Sequence, residues 1–169
     1  MKRSFFGALA ALGVLAAASL GLAGCANEPT RIQPGTTAAE TLQRLGAPTG
    51  RYPLNNGGER LQYSRMPAGF EVTDIDVDAA GKVASVTQVL SEARFGHDIK
   101  VDQWRQSDVM AFYGPPYEIN RVSAFDGVVW TWRYKAVNER RMLHIYIDPT
   151  GVVRRYHTGD DLALDRIRD

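Results

Sequence analysis

A chain of 169 residues, 44% apolar and 23% charged, has room for one packed domain or two small ones and excludes wholesale disorder. The formal charge is +1, and removing the leader cations Lys2 and Arg3 takes it to −1. No net basic field is left to attract nucleic acid or an anionic bilayer.

The leader opens the chain. Lys2 and Arg3 form a short basic region, followed by an apolar run from Phe5 to Leu20. That run is too short for a membrane-spanning helix and ends in small residues, the pattern of an export signal over residues 1–24. Leu22-Ala23-Gly24-Cys25 resembles the lipobox of bacterial lipoproteins. The resemblance implies that the signal peptidase accepts Ala23 and Gly24 and that Cys25 becomes the lipid-modified N-terminus. Cys25 is the only cysteine, and lipidation removes a lone thiol that an oxidising compartment makes a liability. A buried methylene contributes about 0.8 kcal/mol and one chain anchors only marginally, so the two or three palmitate-like chains implied would hold the protein stably. Ala26, not Asp, follows the cysteine, which favours the outer membrane over the inner one. Residues 25–33 make a polar tether of roughly 30 Å at most. The folded part is therefore expected beside the membrane, facing the periplasm.

The expected fold is α+β, two tandem small modules of short helices on three-stranded antiparallel sheets. In the first, residues 34–90, Thr37-Ala38-Ala39-Glu40 reads as a capping box. Ala38, Leu42 and Leu45 form one apolar stripe, and Gly46 and Pro48 end the helix. Strands follow at 60–65, with Leu61 and Tyr63 on one face, at 71–78, with Ile75 and Val77 on one face, and at 82–90 after the turn Asp78-Ala79-Ala80-Gly81. A linker is expected over 91–100.

The pattern then repeats over 101–158, displaced by about 70 residues. A helix at 107–113 ends at Gly114-Pro115-Pro116. A strand at 128–134 puts Trp130, Trp132 and Tyr134 on one face, and a strand at 142–148 does the same with Leu143, Ile145 and Ile147. The turn Asp148-Pro149-Thr150-Gly151 and a closing strand at 152–158 complete the unit, leaving 159–169 as a polar tail. Leu45, Tyr63, Ile75, Val77, Tyr113, Trp132, Tyr134, Ile145 and Ile147 are the expected core.

Ile32, Gly35, Thr37, Leu45, Gly46 and Pro48, followed by a strand pair and the Asp78–Gly81 turn, carry a resemblance to the SmpA/OmlA (BamE) family. These are small lipoproteins accessory to the outer-membrane β-barrel assembly machinery. The second unit resembles the same family through Gly114, Pro116, Trp132-Arg133-Tyr134 and the Asp148–Gly151 turn. It departs where Gln103 stands near the place of the opening glycine, as the first does where Leu61-Gln62-Tyr63 replaces Trp-x-Tyr. Two fused copies of such a unit are also similar in architecture to β-lactamase inhibitor proteins. The two families share a module and do different jobs.

Catalytic arrangements are not evident. The histidines, His97, His144 and His157, lack metal-ligand spacing, and there is no H-E-x-x-H, no G-x-S-x-G and no phosphate-cradling loop. Asp74, Asp76 and Asp78 alternate as in a half-buried strand, without the glycine and closing Glu of a calcium loop. The reading is a membrane-tethered binding or scaffold module in envelope assembly or maintenance. It is not an enzyme, has no cofactor, metal, nucleic acid or small-molecule substrate, and meets the membrane through its lipid and an envelope protein as partner. The alternative is an inhibitor-like protein docking on an enzyme through both modules. If helices cover one face of each sheet, the opposite faces are open. They present Asp74 and Asp76 in the first unit, and Arg133, Met142, His144 and Tyr146 in the second, as candidate partner-binding residues.

Overall fold

The computed structural model describes residues 27–137 and 139–161. The export leader, Cys25 and residues 162–169 lie outside them. A 3-10 turn (Pro29–Arg31) leads into α1 (Ala38–Leu45) and four strands, β1 (Gly50–Pro53), β2 (Glu59–Ser64), β3 (Val72–Val77) and β4 (Val83–Gln88). Then come α2 (Glu92–Asp98), α3 (Gln106–Tyr113) and a second set, β5 (Glu118–Asn120), β6 (Val128–Lys135), β7 (Arg140–Ile147) and β8 (Val153–Asp160). The fold is α+β, and each set forms an antiparallel sheet in sequential order, sheet 1 and sheet 2.

Four strands per sheet correct the expected three. β1 and β5 are edge strands of four and three residues. They are too short to show alternation, and Pro53 is tolerated because an edge has one unpaired side. The expected linker holds α2, whose Phe95 lies edge-on to Tyr134 at 5.2 Å and to Tyr113 at 6.1 Å. Seven residues with Gly96 among them carry no legible helical stripe. β8 runs to Asp160, so the expected tail begins inside a strand.

Local chemistry explains the helix ends. Thr37 Oγ1 accepts from Glu40 N at 3.2 Å, and Glu40 Oε2 accepts from Thr37 N at 3.0 Å, closing the capping box. The helix stops at Gly46, with φ +79 and ψ −164, a region essentially confined to glycine. α3 stops the same way at Gly114, with φ +67 and ψ −165.

The halves repeat in detail. Asp78 Oδ1 accepts from Ala80 N and Lys82 N, and Asp148 Oδ1 from Thr150 N and Val152 N, all at 2.9 Å. Each sheet shifts register at the matching place, Asp76/Val77 and Tyr146/Ile147. An aromatic side chain clasps each helix end: Tyr63 OH donates to Gly46 O, and Trp132 Nε1 to Tyr113 O, both at 3.1 Å. The opening glycine's counterpart is Asp102, not Gln103. Gly35 N and Asp102 N each donate at 2.8 Å to the first residue of the closing strand, Val83 O and Val153 O. Both sit at positive φ, +89 and +63. Aspartate tolerates that conformation, and Arg154 Nη1 holds the Asp102 carboxylate at 2.8 Å.

A small core in the first half gathers Ile32, Leu61, Tyr63, Ile75, Val77 and Val83. The larger core crosses between halves, joining Val72, Val89 and Leu90 to Phe95, Tyr113, Trp130, Trp132, Tyr134 and Ile145. The expected core residues are buried except Leu45, which is half-buried at the rim.

Candidate partner-binding face

Each sheet has a face turned away from its apolar core, and the two are treated differently. On sheet 1 that face carries Arg60 and Gln62 on β2 and Asp74 and Asp76 on β3. It is not open as expected: the C-terminal end of α3 lies on it. The last carbonyls of a helix have no partner within the helix. Here Gln62 Nε2 donates to Ala111 O at 3.4 Å and Phe112 O at 3.2 Å, and Tyr52 OH donates to Met110 O at 3.2 Å. The Arg60 guanidinium lies 5.3 Å from the Phe112 ring centre.

Asp74 is thereby sealed in, 1% exposed, with Oδ1 accepting from Gln62 Nε2 at 3.1 Å. Arg60 reaches Asp74 Oδ2 at 3.1 Å and Asp76 Oδ1 at 2.7 Å. Asp74 and Asp76 share one Arg60 in a cluster buried at Asp74 and half-exposed at Asp76, rather than forming an open acidic patch. Burial pushes the Asp74 carboxyl up to about 7, against the pull of Arg60 and the Gln62 amide. Asp98 is likewise taken, by Arg94 at 2.9 Å and His97 at 2.7 Å.

Among the described residues, no helix covers the corresponding face of sheet 2. One cross-strand row runs Thr131, His144, His157, matching Gln62, Asp74, Thr87 on sheet 1; the next runs Val129, Tyr146, Arg155, matching Arg60, Asp76, Ser85. Thr131 Oγ1 lies 2.9 Å from His144 Nδ1, as Gln62 bonds Asp74. The His144 and His157 rings stack at 4.8 Å with 28° between planes. Arg155 lies 3.9 Å over the Tyr146 ring, and Phe125 from the β5–β6 loop meets that ring edge-on at 5.2 Å. Burial holds His144 below the ordinary histidine range, helped by His157 and opposed by Glu118. His157 is lowered by burial and by Arg155.

The sequence-predicted residues fare unequally here. His144 and Met142 are half-buried and reachable. Tyr146 is only 8% exposed, because Arg155 and Phe125 lie against it. Arg133 is held by Asp161 at 2.7 Å and stacks on Phe70 and Tyr117 at 4.7 and 5.1 Å, so it braces the structure more than it offers a contact. Arg155 and His157, both exposed, were missed. Their strand phase is hidden by the register shift, though Val153 pointing inward after the Asp148–Gly151 turn is the signal that fixes it. Among the described residues, no three His, Cys, Asp or Glu side chains converge as metal ligands, and no helix is long and apolar enough to cross a membrane.

Compared with models of protein families, with curated proteins and with solved structures, the chain matches none.

Proposed function

We propose that this chain is the precursor of an outer-membrane-anchored periplasmic lipoprotein that acts without catalysis, as a binding or scaffold module in envelope assembly or maintenance. The observation that carries the binding role is the outer face of sheet 2, where exposed Arg155 and His157 and half-buried His144 stand beside the covered Tyr146 ring. Tyrosine and arginine are frequent anchors of protein interfaces. The lipobox-like Leu22–Cys25 segment supports the anchor, and the recurrence of turn, register shift and helix clasp at a displacement of about 70 residues supports two tandem units similar to the SmpA/OmlA (BamE) module. An inhibitor docking through both units is less favoured, because the outer face of sheet 1 is taken up in holding α3.

Replacing Cys25 by Ser tests the anchor. The wild-type protein should incorporate labelled palmitate and sediment with outer membranes, whereas Cys25→Ser should lose the label and leave that fraction or accumulate as precursor. A Cys25→Ser protein that still carries lipid by mass spectrometry would refute the anchor. Cross-linking and pull-down from envelopes then separates the partners: barrel-assembly components favour the scaffold reading, a single soluble enzyme the inhibitor reading.

A further inference from the structure

Resting on the reading that the outer face of sheet 2 binds a protein, the geometry points to the element it takes: the C-terminal end of an α-helix of a partner protein, with an acidic side chain in its last turn.

The precedent lies within the chain. On sheet 1 the matching surface receives the end of α3, with Gln62 in the middle of the contact donating to two helix carbonyls. Its counterpart on sheet 2, the Thr131–His144 pair, has the same cross-strand geometry and, among the described residues, no helix end upon it; Thr131 is buried, so half-buried His144 is its reachable member. Charge decides what kind of helix end fits. The sheet 1 face sets one arginine against two aspartates around an end lined by the apolar Ala111 and Phe112. On the sheet 2 face the corresponding edge bears Arg155 and His157, where sheet 1 has Ser85 and Thr87.

Among the described residues no carboxylate pairs with Arg155, whose neighbours are the Tyr146 and Phe125 rings. A guanidinium held flat on an aromatic ring keeps its N–H edge available. The C-terminus of a helix carries partial negative charge and unpaired carbonyls, and an acidic side chain there adds a full charge. Arg155 and the His157 and His144 ring nitrogens are suited to both.

A second copy of this chain is the poorer occupant. Its own matching helix end, that of α1, brings Arg44 toward Arg155, and like charges across an interface are costly.

The test is site-specific photo-cross-linking in cells that make the full chain natively, with the photoreactive residue at position 157. The expected result is a protein adduct whose cross-linked peptide, sequenced by mass spectrometry, lies in the last two turns of a helix and contains Asp or Glu. Arg155→Glu in the same background should lower the adduct yield by about tenfold or more, with only a small fall in thermal midpoint from the lost Tyr146 contact, while Arg155→Lys should retain part of the adduct. An adduct on a strand or loop of another protein would keep the binding face and overturn the helix end. An adduct on α1 of a second copy would overturn the partner. Silence from probes at both 157 and 155 would sink the binding reading of this face along with the inference, and full yield from Arg155→Glu would overturn the charge argument.

Discussion

The outer faces of the two sheets start from the same backbone and end with opposite roles. Both place a hydrogen-bonded polar pair at the centre of the β2–β3 or β6–β7 row, Gln62 with Asp74 and Thr131 with His144. In the first half α3 closes over that pair, so polar side chains become internal donors and a carboxylate is cut off from water. In the second half, among the described residues, no helix end closes over it: Thr131, Val129 and Tyr146 are buried by their neighbours, while His144 stays half-buried and Arg155 and His157 meet solvent. An alternating strand pattern therefore identifies which residues leave the apolar core. It does not identify whether they meet solvent or a second element of the chain.

The largest break in this comparison comes from the helix-ending glycines. Gly46 and Gly114 share a backbone conformation that side chains rarely adopt, which costs about 1–3 kcal/mol for either alanine. A Cβ on Gly46 meets nothing within 4 Å, whereas one on Gly114 comes to 2.5 Å from Gln62 Oε1. The Gln62 amide cannot swing away without surrendering Asp74 and the α3 carbonyls. Gly114→Ala should therefore lose a further 1–3 kcal/mol or so from overpacking, and Gly46→Ala should not. Chemical denaturation of both variants checks the difference; equal losses would mean that the α3 end does not bear on sheet 1 as described.

A second break is in the pH response. Asp74 carries a carboxyl raised to about 7, so the folded state holds its proton where the unfolded chain has released it. Its contribution is fully present below about pH 4 and is lost as pH rises toward 7. Asp74→Asn removes the titration. The variant should gain on the wild type by something on the order of 4 kcal/mol across that window. Thermal midpoints measured at several pH values read this directly, and a constant difference would place Asp74 in contact with water.

Much of the repeat was legible in the sequence because turns and caps are local. Asp78–Gly81 and Asp148–Gly151 fold through one aspartate oxygen accepting two following amides, and Thr37 with Glu40 needs no tertiary partner. The inward strand faces were legible for the same reason: alternation of large apolar residues suffices. What escaped was set by contacts distant in sequence. Asp74 and Asp76 looked like a surface patch because the helix end that buries Asp74 lies more than thirty residues further on. Arg155 and His157 escaped because the shift at Tyr146/Ile147 offsets the pairing of β8. β1, β5 and α2 are too short to impose a period.

The smallest expected effect sharpens the contrast from the open side. His144 and His157 both sit below the ordinary histidine range, so there the folded state prefers the neutral ring. Their contribution is present above the unfolded value of about 6.5 and is lost as pH falls through that range, opposite in sign to that of Asp74. Protonated His157 also disfavours a proton on His144, only 4.8 Å away ring to ring. His157→Gln should therefore raise the His144 titration midpoint while barely moving the thermal midpoint at neutral pH, since His157 is exposed. Proton NMR titration of the His144 ring reads the shift. An unchanged midpoint would mean that the stacked rings do not sense each other's charge. A downward shift would mean that His157 stabilises the imidazolium, which the stacked arrangement and the nearby Arg155 both argue against.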